Sequence, residues 1–259
     1  MPLSASSITA DRAGSAWLSE LFVSYQGEGA RAGEKHLFVR FAGCNIRCVY
    51  CDTPDSLVRV PECEITWADG SVESRPNPLS ARALSDVVQR FCAEDPQIVM
   101  LAITGGEPMV QHAFIASWLS AYPPPRPCML ETNAMVTAGL DSVLPHVALV
   151  SADIKLPSNS GERALWDEHR RFLTACRETD VYVKMPVDER TDPEEVRRGA
   201  RLVRETVPHA TLFLQPITGA PDTAWRTSQR RLLELVGCAQ SEMPRTELRP
   251  QLHKLMGLR

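Results

Sequence analysis

No apolar run in the 259 residues approaches the roughly 18 that a membrane helix needs, so no span is expected. The opening stretch MPLSASSITADRAGS lacks the apolar centre of a secretory signal, and a cytoplasmic location is therefore expected. A surplus of positive charge is missing as well. The formal net charge of −4 speaks against nucleic acid as a partner, because surfaces that bind phosphate backbones carry a positive excess. One or two local cations could still hold a small anion. The chain has no internal repeat and no low-complexity tract beyond the turn at Pro123-Pro124-Pro125, so nothing indicates a stacked-repeat architecture. An evenly spaced cysteine framework is also lacking. Of the eight cysteines, Cys44, Cys48 and Cys51 fall within eight residues, whereas Cys63, Cys92, Cys128, Cys176 and Cys238 stand singly. The cluster reads as metal ligation and the singles as small buried hydrophobes.

What is present suits a packed domain: 44% hydrophobic and 23% charged residues are near globular averages. We expect a loose tail over 1–16 and one domain over 17–259. Short apolar runs at 37–42, 97–104, 128–132, 147–154, 181–186 and 211–217 read as strands. Helical stretches lie between them at 80–93, 109–121, 161–178, 193–206 and 222–237. Asp192-Pro193-Glu194-Glu195 marks a helix start, with a capping residue, proline at the first position and acids in the first turn; Asp222 could cap the last helix. Strands apolar throughout suggest burial on both faces, hence parallel pairing under helices. The fold class is α/β, a partial (β/α)6-type barrel of parallel strands. Residues 56–79 interrupt this rhythm. ITWADGSVES holds an Asp-Gly turn between short strands and reads as a hairpin insertion after the cysteine loop.

Cys44-Asn45-Ile46-Arg47-Cys48-Val49-Tyr50-Cys51 has the spacing C-x3-C-x2-C directly after the first of these strands. Three thiolates on one loop can satisfy three irons of a 4Fe-4S cubane and leave the fourth open. From spacing alone, a structural zinc site with a distant fourth ligand and three core cysteines by chance remain open. Strand 97–104 ends in Thr104-Gly105-Gly106-Glu107-Pro108, where paired glycines free the backbone to approach a ligand. The other strands end in Glu131-Thr132-Asn133, Ser151-Ala152-Asp153-Ile154-Lys155, Lys184 and Gln215-Pro216, and in a βα barrel such ends share one face.

The cysteine spacing, with an aromatic residue before the third cysteine, and the GGEP sequence together resemble the radical S-adenosylmethionine superfamily. The resemblance implies that the open iron chelates S-adenosylmethionine, that one electron cleaves the sulfonium, and that the adenosyl radical abstracts a substrate hydrogen. Within the superfamily, Tyr25-Gln26-Gly27-Glu28-Gly29, Arg40 in FVRFAGCN, Cys51-Asp52-Thr53 and the terminal Arg249-Pro250-Gln251-Leu252-His253-Lys254 resemble the 7-carboxy-7-deazaguanine synthase family, over about residues 18–258.

That resemblance implies conversion of 6-carboxy-5,6,7,8-tetrahydropterin to 7-carboxy-7-deazaguanine with loss of ammonia. It makes Gln26, Gly27, Arg40 and Thr104 pterin contacts, with Tyr25, Glu28 and His253 beside them. Arg40 lies in an apolar strand, and a substrate carboxylate would offset the cost of its charge. Thr53 corresponds to a Mg²⁺ ligand. Tyr50, Cys51, Asp52, Gly106, Ser151, Ala152, Asp153, Gln215, Pro216, Ile217 and Thr218 map to S-adenosylmethionine contacts. An external electron donor such as flavodoxin or ferredoxin and a homodimer are implied, and no general base is obvious. Where family members often carry glycine after the polar pair of the third strand, this chain has Ala134. An enzyme that places a glycyl radical on a partner protein is the rival reading, but it should lack the QGEG and PQLH elements. A noncatalytic zinc or iron-sulfur scaffold would leave GGEP without purpose.

Overall fold

The computed structural model describes residues 14–218 and 227–258. The chain runs through β1 (Ser15–Ala16), β2 (Leu18–Tyr25), β3 (Lys35–Phe41), the hairpin β4 (Glu62–Thr66) and β5 (Val72–Pro76), and β6 (Leu79–Ser80). There follow α1 (Ala81–Glu94), β7 (Met100–Gly105), α2 (His112–Ala121), β8 (Cys128–Thr132), α3 (Leu140–Val143) and β9 (Leu149–Asp153). The last part holds α4 (Pro157–Ser160), α5 (Trp166–Ala175), β10 (Val181–Val187), α6 (Pro193–Thr206), β11 (Leu212–Pro216), α7 (Gln229–Glu242), β12 (Thr246–Leu248) and α8 (Leu252–Leu255).

Ten strands form one open sheet in the order β12-β11-β10-β9-β8-β7-β3-β2-β4-β5. Pairing is parallel from β12 to β3, so the six expected strands are neighbours in a partial barrel. Three differences from the sequence reading concern the flank. β2 is an eight-residue strand antiparallel to β3; its sequence LSELFVSY gave no strand signal because polar residues interrupt it. The hairpin is not set apart, since β4 pairs parallel with β2 and extends the main sheet. It also clamps α1: Trp67 stacks on Phe91 with ring centroids 4.6 Å apart, and the Arg90 guanidinium covers the indole at 3.7 Å. Ser15 and Ala16, inside the stretch expected to be loose, pair antiparallel with Ser80 and Leu79.

Helix starts follow side-chain chemistry. Asp192 accepts from the Glu194 amide at 2.9 Å and opens α6 at Pro193 as expected. The expected helix 161–178 is shorter. A separate turn, α4, ends at Gly161, and α5 begins only at Trp166, because 160–165 folds against the cysteine loop. The last long helix begins at Gln229 with Ser228 accepting from the Arg231 amide, not at 222; Asp222 lies outside the described residues.

The sheet's two faces differ. One packs on the helices and holds the main core. The other carries a separate apolar layer, one or two residues from each of β2, β3 and β7 to β11: Phe22, Phe38, Met100, Ala102, Met129, Leu149, Tyr182 and Phe213. Strand side chains alternate, so two residues nearer the carboxyl ends the same face presents Arg40, Thr104, Glu131, Ser151, Lys184 and Gln215. An apolar floor thus underlies a polar ring.

Ala134, after β8, is held at φ 56°, in the left-handed region that costs an L-residue about 1–2 kcal/mol. Its amide donates to Thr132 Oγ1 at 3.1 Å and its carbonyl faces His169 Nδ1 at 3.2 Å. Burial lowers the His169 pKa to about 4, so the neutral ring donates from Nδ1 and accepts the Lys155 amide at Nε2, 3.2 Å away. An Ala134→Gly substitution releases the strain but loses a buried methyl, about 0.8 kcal/mol. The expected result in thermal or denaturant unfolding is a net gain of up to about 1 kcal/mol; a clear loss would show that the turn is not strained.

Candidate active site

The carboxyl ends of the strands open into a cavity of about 1010 Å³. The residues of both sequence elements that set this chain apart within its resemblance line it, together with the cysteine loop. Gln26 is buried, donates from Nε2 to Glu131 at 2.6 Å and accepts the Glu28 amide at 3.0 Å. Gly29 has φ 60°, and a Cβ there would lie 2.1 Å from the Tyr182 ring, so this turn can close on the barrel floor only as glycine.

The terminal segment comes to the same place. The Leu252 amide donates to the Gly27 carbonyl at 2.9 Å, and Gln251 Nε2 donates to Glu28 Oε1 at 2.9 Å. Gln215 adds a 2.8 Å bond to the same oxygen, and Lys184 pairs with the other. Burial works to raise the Glu28 pKa but is overcome by the charges of Lys184 and His253 and by hydrogen bonds from Lys184 and Gln251, which hold it at about 2.

Cys44, Cys48 and Cys51 line the same cavity. Cys44 and Cys48 pack on Ile46, Met135 and Leu165, and burial raises both thiols, Cys44 to about 11. Among the described residues no three His, Cys, Asp or Glu side chains are gathered as one ion requires. Zinc held at sulfur distances of about 2.3 Å would need them to be. All three thiols line the one cavity, where a 4Fe-4S cubane would be held.

The ends of β7 and β8 are joined to this loop. Gly106 lies so close that a Cβ would sit 2.5 Å from the Gly43 carbonyl and 2.6 Å from that of Ser56. Glu107 is fully buried and accepts from the amides of Met109 (2.9 Å) and Asn133 (2.7 Å) and from Thr132 Oγ1 (2.8 Å). Burial raises it to about 7 against these bonds. Asn133 in turn donates to Asn45 at 2.7 Å, so this acid of the GGEP element splices two strand ends to the cysteine loop.

Of the residues mapped to the cofactor, Tyr50, Cys51, Asp52, Gly106, Asp153, Gln215, Ile217 and Thr218 line the cavity. Ser151, Ala152 and Pro216 do not. Strand alternation places the Ala152 side chain in the helix-side core and Pro216 out of phase with Gln215. Ser151 points to the cavity side but is fully buried. Sequence reasoning missed Lys155, whose ammonium lies 3.1 Å from Asp153 and 5.6 Å from the Tyr50 ring centre. It also missed Glu131, Lys184 and Gln251. Position in a ligand-type strand end was the available signal for the first three.

The substrate-side residues Tyr25, Gln26, Gly27, Glu28, Arg40, Thr104 and His253 all line the cavity, as does Thr53. Arg40 has a counter-charge from the protein itself. Its Nε donates to Glu20 at 2.7 Å, so the protein already supplies a carboxylate. Among the described residues the two terminal nitrogens have no hydrogen bond of this kind.

The site tests well for the implied groups. Among the described residues the buried polar atoms Tyr50 Oη, Asn133 Oδ1, Asp153 Oδ1, Gln215 Oε1 and Thr218 Oγ1 have no hydrogen-bond partner, and all five residues line the cavity. Each such atom costs about 1–3 kcal/mol unless a ligand satisfies it. The three thiols and the Thr53 hydroxyl complete a donor set suited to a 4Fe-4S cluster, S-adenosylmethionine and Mg²⁺.

A parallel partial barrel with three loop thiols and GGEP at adjacent strand ends defines a radical S-adenosylmethionine protein, and a profile of the Radical SAM superfamily matches residues 38–215. Over 243 residues, 93% of this chain and 96% of the relative, the sequence is 36% identical to 7-carboxy-7-deazaguanine synthase of Geobacter sulfurreducens. It is 33% identical to that of Methanopyrus kandleri over 92% of both chains. The chain belongs to the 7-carboxy-7-deazaguanine synthase family. The crystal structure of QueE from Escherichia coli shares the fold with TM-score 0.59 at 18% identity, covering 92% of this chain and 95% of that one.

The Glu28 shift gives a signed stability prediction. A carboxyl lowered from 4.5 to about 2 stabilises the fold above pH 4.5 and loses that contribution as pH falls towards 2. The expected size is on the order of 3 kcal/mol. In denaturant titrations the pH dependence over this window should be reduced in Glu28→Gln; an unchanged profile would refute the assignment.

Proposed function

We propose that this cavity carries out the radical ring contraction of 6-carboxy-5,6,7,8-tetrahydropterin to 7-carboxy-7-deazaguanine, with loss of ammonia. The observation that carries the reading is the convergence of Gln26–Glu28 and Gln251–His253 around one charged cluster, in the cavity that the three thiols also line. When bound, the cluster and S-adenosylmethionine supply a carbon radical able to remove one substrate hydrogen.

The chain's own residues divide the remaining work. Cys44, Cys48 and Cys51 hold the cluster. Tyr50, Asp52, Gly106, Asp153, Gln215, Ile217 and Thr218 hold the nucleotide, and the orphaned atoms among them support that role. Lys155 places a positive charge beside Cys48 and Tyr50. Arg40, fixed by Glu20, offers its remaining donors to the substrate carboxylate. Thr53 offers its hydroxyl to Mg²⁺, which would fix that carboxylate during rearrangement. Gln26, Glu28, Thr104, Glu131 and His253 present the polar atoms that orient the ring, with Tyr25 and Gly27 at its edge.

This reading includes a flavodoxin- or ferredoxin-type donor and a cytoplasmic location, which the eight free thiols support. It also includes a homodimer, supported by the exposed Leu255 and Met256 at the chain's end. Among the described residues no helix is long and apolar enough to cross a membrane.

Anaerobically reconstituted protein given reductant, S-adenosylmethionine, Mg²⁺ and the tetrahydropterin should release ammonia and a deazaguanine product. Cofactor cleavage without that product would reject the substrate, and full turnover by Cys48→Ala would reject the mechanism. Arg40→Ala should weaken substrate binding about tenfold to a hundredfold, the worth of a charged hydrogen bond. Unchanged affinity in equilibrium dialysis would remove Arg40 from the substrate site.

A further inference from the structure

β10 reads VYVKMPV, and all seven residues are buried. Its single charge, Lys184, is 4% exposed and lines the cavity. A lysine in such a strand is costly unless its charge is compensated. Three acids surround it: Glu28 from the turn after β2 pairs with Nζ, Asp153 from the neighbouring β9 lies 3.7 Å away, and Glu131 from β8 adds its charge. Gln215 on β11 binds the same Glu28. Tyr182 lies on the same strand, and Lys155 is the nearest other cation bearing on it. The result is a charged ammonium held on the ring just above the apolar floor, far better anchored than solvation of a surface lysine would require.

Resting on the proposed ring contraction, we propose that Lys184 is the proton-transfer residue of the ammonia-releasing step. The carbon–nitrogen bond breaks with its electron pair staying on nitrogen, which takes a proton from the Lys184 ammonium and leaves as ammonia. The neutral amine then takes the proton of the adjacent ring carbon, and that C–H pair becomes the new ring double bond. The lysine ends as it began, and no oxidant or reductant is consumed. Among the other cavity cations, Arg40 cannot give up a proton at working pH, His253 and Lys254 sit on the terminal segment with Lys254 paired to Asp52 at 3.1 Å, and Lys155 shares Asp153 Oδ2 with Lys184 but lies against the Tyr50 ring. Glu28 and Asp153 hold Lys184 charged between turnovers, so the proton is in place when the carbon–nitrogen bond breaks, and the same carboxylates make the amine left behind a strong base.

The test compares wild type, Lys184→Arg and Lys184→Met in the reconstituted holoenzyme, with substrate deuterated at C6. Three quantities are read: deuterium transfer into the cofactor's adenosyl group, ammonia release, and substrate affinity by equilibrium dialysis. Lys184→Arg keeps the charge but not an acid that can give up its proton at working pH. It should bind substrate within about threefold of wild type and transfer deuterium, while ammonia release falls by at least about a hundredfold. Ammonia release at the wild-type rate in Lys184→Arg overturns the assignment. Parallel loss of deuterium transfer and ammonia release in that variant also overturns it, in favour of a positioning role. Wild type that transfers no deuterium would instead reject the ring-contraction reading, and the assignment with it.

Discussion

The site depends on one carboxylate. Glu28 is held by Lys184 from β10, Gln215 from β11 and Gln251 from the terminal segment, so three parts of the chain distant in sequence are fixed at a single point. Its side chain is only 17% exposed, and an anion there is tolerable because donors and a buried cation surround it. The same arrangement fixes the terminal segment, which is otherwise attached by the Leu252 amide and by the Lys254–Asp52 pair at 3.1 Å. Asp52 immediately follows the third cluster thiol, so the Glu28 cluster ties the substrate side of the cavity to the cluster side.

The sheet makes this possible through its period of two. One face gives the apolar floor, with Phe22 and Phe38 stacked 5.1 Å apart and Tyr182 edge-on to Phe213 at 5.6 Å. The next residues on that face give the polar ring. Charges there cannot escape to solvent through the floor, so they pair with one another or wait for ligands. Arg40 takes Glu20, Lys184 takes Glu28 and Asp153, and several oxygens at the rim take nothing from the protein. Glu107, capped by two amides and a hydroxyl, keeps the ends of β7 and β8 in step with the cysteine loop.

Much of this was legible in advance for physical reasons. Continuous apolar runs identified six parallel strands because each is buried on both faces. The Asp192-Pro193 start was legible because capping is local. β2 was not, since its polar residues Ser19, Glu20 and Ser24 find partners only when β3 and β4 lie beside it. Arg40 showed the same limit. Its need for an anion followed from the strand's composition, but its partner, Glu20, came from a strand that local pattern did not mark. Ser151 and Ala152, carried over as consecutive residues, face opposite sides of β9, because neighbours on a strand point opposite ways.

By itself the sequence determined the chemistry available: three thiols at a fixed spacing, a glycine pair at a strand end, and the two elements that mark the family, all of which are set by covalent order. Only the tertiary structure decided which groups meet. Lys184 became part of the cavity, and Glu28 the point of convergence, because parallel neighbours in the sheet bring β9, β10 and β11 into register and the last residues fold back across their ends. Charges in a low-dielectric ring choose partners by distance in space, and chain order carries no record of that distance.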